Sequence, residues 1–502
     1  MLHLAHYLEE NAKNFPAKIW LKGDDLNINW IETISILNRI VTFLETFVPI
    51  NKQVNTPRGL VVRGDCGPLH ILVLVAILIS DYVYIPENRT LRRDSESTVL
   101  SEYPVVSVNK NSILIHDSSS GGEKELTKNQ ILYDIPTDNF EFDDSIISSP
   151  QNSPAAFFYT SGSTGTPKII VIPHSNLIRG AQYVSIALGL KSEDTIAGTL
   201  TLDFDYGVNQ VLNAIINCAT YVCCPFSSSD KFWSDIARSE NCTVIPAMPF
   251  LIEKYFIGAE VANLPKVRMV TSSGGPFLDQ HKEQVKSLCP ASEIIPMYGL
   301  SEGFRATILP GNLYSTYPNS VGFPIGDTEI QIRDSKFRIL PKESEGEIWQ
   351  ASGCVSWGYF DDIATTREKF ILDETYPNKV WIRSGDLGYL DENGLLYIIG
   401  RISHQIKRFG IRISINEVEK AYMGLPGVEQ CVVVPLSKNT TESDIGVIVA
   451  GKNLSSEILS QLQRQIPIEL RASRSIITSV IPGNYNEGKP DRELLRREYF
   501  DI

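Results

Sequence analysis

Cysteine pairs, long apolar runs and blocks of like charge are scarce in this 502-residue sequence, and each shortage removes a class of function. The longest apolar run, residues 71–79, is too short to span a bilayer, which takes about 20 apolar residues, and Ser80-Asp81 ends it. The amino-terminal stretch MLHLAHYLEENAKNFP has helix-like spacing with acidic residues and lacks the basic start of an export signal. Eight cysteines are scattered singly apart from Cys223-Cys224, with no CxxC pair, so buried free thiols are expected rather than a disulfide framework or zinc site. With 46 basic against 59 acidic side chains the formal charge is −13, which argues against nucleic-acid binding. No tandem period marks a solenoid. A cytoplasmic globular protein, free of membrane and nucleic acid, is the expectation.

Strand and helix signals alternate in what is there. Residues 31–47 have helical spacing, and short apolar strands are expected at 59–62 and 104–108, with a polar surface loop at 118–124. The segments IAGTL, ATYVCCP, CTVIPA, VRMVTSSGG and EIIPMYG, between 196 and 299, repeat the alternation. From about residue 318 the chain turns strand-rich (SVGFPI, TEIQIRD, FRILP, GEIWQ, KVWIRSGD, GLLYIIGR), with DENG as a hairpin turn. After Arg401 helices are expected at 416–423, 455–465 and from 491, with strands at 430–434 and 445–450. The fold class is therefore α/β. A large amino-terminal domain of layered α/β subdomains with a β-rich subdomain, residues 1–400, precedes a small mobile α+β domain, 404–502, with a hinge at 401–403.

The most distinctive stretch is FFYTSGSTGTPKIIVIPH, residues 157–174. A nucleotide loop of the Walker kind places its lysine at the start of a helix. Here the β-branched run Ile169-Ile170-Val171-Ile172 follows Lys168, so the loop joins two strands. Its amides, hydroxyls and single ammonium suit a polyphosphate, although turn tips are also commonly rich in glycine and serine.

Six motifs in order extend this reading: YTSGSTGTPK (159–168), SSGGPF (272–277), MYGLSE (297–302), RSGDLGYLDENG (383–394), GRISHQIKRFGIRISINEVE (400–419) and EGKPDR (487–492). Through them the chain resembles, over nearly its whole length, the AMP-forming adenylation superfamily of acyl- and aryl-CoA synthetases, luciferases and nonribosomal peptide adenylation domains. The resemblance implies a two-step ligase: a carboxylate attacks the α-phosphate of ATP, pyrophosphate leaves, and a thiol takes the acyl group from the adenylate.

The resemblance also implies roles. Thr160, Ser161, Gly162, Ser163, Thr164, Gly165 and Lys168 would hold the β- and γ-phosphates. Glu302 would bind Mg²⁺, a hard cation served by oxygen ligands, beside Ser301, where relatives more often carry threonine. Ser273, Gly274, Gly275, Pro276, Tyr298 and Gly299 would frame the adenine; Asp386 would accept from the ribose hydroxyls, with Arg401 reaching ribose or phosphate. Lys489 would contact the reacting carboxylate and α-phosphate. In the second step the loop 407–412 would replace it beside a pantetheine channel. Ser403 stands where relatives usually have Asp or Lys.

Asp205 in TLDFDYGVNQVLNAI aligns with the aspartate that pairs with the substrate ammonium in amino-acid-activating relatives, and a buried aspartate needs a charged partner. This favours an amino acid, with Asn209 and Met297 as further pocket walls, over an acyl or aryl acid, which relatives with the same aspartate also take. The acceptor would be the phosphopantetheine thiol of a separate carrier protein or of free coenzyme A. Arg464, Arg471, Arg474, Arg496 and Arg497 would offer a basic face to an acidic carrier, or simply a solvated surface. A nucleotide-binding protein without turnover is the remaining alternative.

Overall fold

The computed structural model describes residues 3–23, 26–47, 58–87, 103–116, 122–132, 142, 153–160, 168–224, 236, 241–256, 264–373, 379–402, 405–408, 411–436, 444–479, 481 and 492–500. They fall into two compact units, Met1–Ile330 with Gln350–Ile382, and Gln331–Trp349 with Arg383–Ile502. The second unit thus takes in residues 331–349 and 383–400, ahead of the expected boundary. Ser403 of the expected hinge lies outside the described residues.

The first unit is built on two mixed sheets, in line with the α/β expectation. One has seven strands, in the order Glu123–Thr127, Ser112–His116, Val105–Val108, Gly59–Arg63, Val83–Pro86, Pro154–Thr160 (β1) and Lys168–Pro173 (β2). Its central four are parallel, and β1 and β2 are antiparallel. Glu123 and Lys124, expected in a loop, open the edge strand; alternating cross-strand pairing with 112–116 overrides their polarity. The other sheet has a parallel core of Ile19–Gly23, Thr220–Cys223, Thr195–Gly198, Val244–Pro246, Met269–Ser272 (β3) and Glu293–Leu300 (β4). Two antiparallel strands, Phe304–Ile308 (β5) and Ser320–Pro324, follow β4.

Parallel strands covered on both faces read as continuous apolar runs, and Thr195–Gly198 and β3 are buried at every position. Two more helices matter for the site: His174–Leu188 (α1), closed by left-handed Gly189, and Asp205–Ile216 (α2). The apolar run at 71–79 forms the helix Pro68–Ile79, buried all round, as expected of a helix with no polar face. Among the described residues no helix is long and apolar enough to cross a membrane. None of the eight cysteines is in a disulfide.

Helix Ile363–Lys369 (α3) and strand Phe370–Leu372 complete the first unit. Val380–Leu390 (β6), which enters the second unit at Arg383, and Leu396–Arg401 (β7) pair across the expected DENG turn, where the Gly394 amide donates to Asp391 O at 3.0 Å. A three-stranded sheet, Val428–Pro435, Ile445–Gly451 and Arg474–Thr478, packs with helices Ile415–Met423, Ser456–Leu462 and Arg492–Phe500. FRILP is not a strand. It makes one isolated bridge, Arg333 to Ile339, and Phe337 sits at φ 64° in a turn closed onto Asp334.

Candidate active site

Thr160 and Lys168 face each other across the β1–β2 ladder, so residues 161–167 connect two strands. Ser161, Gly162, Ser163, Thr164 and Gly165 lie outside the described residues. Lys168 points its ammonium at the first turn of α3, where Nζ stands 3.0 Å from Asp362 Oδ2, hydrogen-bonds Thr365 Oγ1, and lies 5.6 Å from the ring centre of Tyr359. Asp362 caps α3 by accepting from the Thr365 amide at 2.9 Å. The Thr365 hydroxyl and amide, with Lys168, hold its carboxyl down to about 2.

The Tyr359 phenol donates to Glu302 Oε1 at 2.5 Å, and the Ser356 amide donates to the Glu302 carbonyl at 2.8 Å. Residues 356–362 therefore grip both the lysine of the expected phosphate loop and the expected metal carboxylate. Glu302 is delivered there by the tight turn between β4 and β5. At Gly299 an added Cβ would fall 2.4 Å from Phe304 O, so the ladder closes only without a side chain. Ser301 lies in the same turn.

The expected adenine frame sits at the ends of neighbouring strands. Ser273 is buried past β3, and Gly274, at φ 88°, begins the exposed run through Gly275 and Pro276. Met297 and Tyr298 on β4 are buried.

The acid side corrects the sequence argument. Asp205 is buried at the first turn of α2, but its charged partner is internal: Arg305 Nη2 lies 2.9 Å from Oδ2, with both side chains 7% exposed. The guanidinium stacks 4.5 Å above the Tyr206 ring and donates from Nη1 to Ser273 Oγ at 3.3 Å. A buried carboxylate does need a cation, and β5 supplies it, so burial of Asp205 no longer requires a substrate ammonium. Burial pushes the Tyr206 phenol up to about 12, and it donates to Thr271. Gly207 lets α2 start here, since an added Cβ would meet Thr201 O at 1.8 Å. Asn209 lies one turn along, fully buried.

In the second unit Asp386 and Arg401 are directly opposed on β6 and β7, with Nε 2.6 Å from Oδ1. Asp386 is buried, and its amide donates to Ser384 Oγ at 2.9 Å. Lys489 lies outside the described residues. Of the arginines of the expected basic face, Arg496 is buried, Arg471 is half-buried and turned onto the Ile466 and Arg464 carbonyls, and Arg474 is exposed beside the Phe500 ring.

Sequence reasoning passed over Arg305, Tyr359 and Asp362. Arg305 had one signal, a lone charge within the apolar strand FRATI, whereas nothing local in GYFDD indicates reach to residues 168 and 302.

A family model described as AMP-binding enzyme matches residues 29–360. Tyrocidine synthase 1 of Brevibacillus parabrevis is 24% identical over 487 residues, 95% of this chain, which spans 42% of that protein. Among solved structures, the anthranilate CoA ligase AuaEII in complex with anthranoyl-AMP superposes with a TM-score of 0.81 at 19% identity, over 99% of this chain and 97% of that one. O-succinylbenzoate coenzyme A synthetase from Bacillus subtilis, in complex with ATP and magnesium ion, gives 0.77 at 19% identity over 98% and 99%.

Proposed function

The chain belongs to the AMP-binding enzyme family and is an AMP-forming adenylating enzyme, and from that premise we propose that it is an acid–thiol ligase acting through an acyl-adenylate. The arrangement around Tyr359, with Lys168 near its ring and Glu302 on its phenol, is the observation that supports it. A carboxylate oxygen of the acid forms a bond to the α-phosphorus of ATP as the bond to the β-phosphate oxygen breaks. A thiolate then bonds to the acyl carbon and AMP leaves.

In this reading Thr160 and Lys168 bind the β- and γ-phosphates with the loop 161–165. Ser273, Gly274, Gly275, Pro276, Tyr298 and Gly299 enclose adenine, Asp386 orients the ribose, and Arg401 holds Asp386. Lys489 stabilises the charge that develops at the α-phosphate, and rotation at 401–403 removes it before thiol attack.

Mg²⁺ fits the residues present. It keeps most of its water and takes one or two carboxylates with substrate phosphates, and Glu302 is such a carboxylate, half-buried, with one oxygen held by Tyr359. When bound, the ion neutralises phosphate charge.

For the acid two readings have support. Asp205 and the tyrocidine synthase relative favour an amino acid loaded on a carrier protein. The internal pairing of Asp205 with Arg305 favours an acyl or aryl acid, passed to a carrier or to coenzyme A. ATP–pyrophosphate exchange over amino, aryl and fatty acids tests the ligase, and thioester formation on coenzyme A against a phosphopantetheinylated carrier identifies the acceptor. Absence of exchange with every acid would leave a nucleotide-binding protein without turnover.

A further inference from the structure

The corner where α2, β3 and β5 meet holds more hydrogen-bond donors than the protein itself uses. Arg305 commits Nη2 to Asp205, Nη1 to Ser273 and its face to Tyr206, yet its Nε–H, on a side chain 7% exposed, has no partner. Asn209 lies one turn beyond Asp205 on the same face of α2. Its Oδ1 accepts from Asn213 Nδ2 at 3.0 Å, which fixes the amide and leaves Nδ2 as a second buried donor without a partner. Unsatisfied buried donors are costly, and here one is on the partner of the Asp205 carboxylate and the other one helical turn beyond Asp205.

We infer that Arg305 determines the acid class: it is the resident counter-ion of Asp205, so the enzyme selects acids that present an oxygen, as 2-oxo and 2-hydroxy acids do, and rejects their 2-amino counterparts. The inference rests on the reading that Asp205 and Asn209 wall the acid site. An ammonium placed there brings a second cation to a carboxylate already matched, and adds donors where donors are in excess. An acid with an oxygen substituent is uncharged at that end and accepts from Arg305 Nε and Asn209 Nδ2. Discrimination of about a hundredfold is expected from one uncompensated buried charge.

The test uses the full chain and matched series that differ only at Cα, such as phenylalanine, phenylpyruvate and phenyllactate, or leucine with its 2-oxo and 2-hydroxy analogues. Exchange kinetics are read alongside binding of the corresponding acyl-adenylate mimics with a sulfamoyl linkage. The oxygen members should lead by about a hundredfold, and Arg305→Met, which frees Asp205, should shrink or reverse the ratio. Asn209→Leu leaves the ion pair intact and should weaken only the oxygen members, which keeps the test decisive if Arg305→Met does not fold. Preference of the unaltered protein for the amino member would overturn the inference while the ligase reading stands. Absence of both exchange and mimic binding would remove the ligase reading, and the inference with it.

Discussion

Removing one partner of the Asp205–Arg305 pair should destabilise the first unit far more than removing both. The two side chains are each 7% exposed and 2.9 Å apart, so Asp205→Leu strands a guanidinium among Tyr206, Ser273 and buried strand residues. Breaking such a pair costs about 3–5 kcal/mol, whereas exchange of both for apolar residues of similar volume is close to neutral or stabilising. Asp205→Leu with Arg305→Met should therefore fall within about 1 kcal/mol of the parent, a coupling of about 3 kcal/mol or more across the cycle. Hydrogen–deuterium exchange of residues 205–216, with urea denaturation in parallel, measures each corner. A single-variant cost under about 1 kcal/mol, or a double variant equal to the sum of the singles, would refute the reasoning.

Three further outcomes are expected. Tyr359→Phe deletes the hydrogen bond that orients Glu302 and should raise the Mg²⁺ concentration for half-maximal exchange by about tenfold; an unchanged titration would dissociate Glu302 from the metal. Lys489→Ala should abolish exchange yet spare thioester formation from supplied adenylate, and normal exchange in that variant would refute its role. His174 is buried near His3, and burial lowers it to about 3 from its ordinary 6.5. Its neutral form contributes stability that is intact above pH 6.5 and lost as pH falls toward 3, so His174→Gln should flatten stability against pH in that window, and an identical slope would contradict the assignment.

The parallel strands were legible because burial on both faces writes unbroken apolar runs, and the strand after Lys168 because its β-branched residues leave no helical reading. Apolar alternation misled at FRILP, where Phe337 and Ile339 are exposed and the backbone turns. The partners of the candidate site were hidden for another reason. Lys168 meets Asp362 across 194 residues and Asp205 meets Arg305 across 100, and no local pattern encodes such a meeting. Burial of Asp205 was correctly expected. The identity of its cation depended on how tightly β4 turns into β5.

The segment 356–362 also bears on how nucleotide enters. Lys168 and Glu302 are of opposite sign, and each already has its partner on this one short stretch, an aspartate for the cation and a phenol for the anion. On the proposed roles of these two groups, arrival of a metal–triphosphate would be an exchange of ligands at both rather than an addition of charge to bare ones. Affinity for the nucleotide is set by a difference between two matched states, so ionic strength should move it less than the charges of triphosphate and metal alone would lead one to expect.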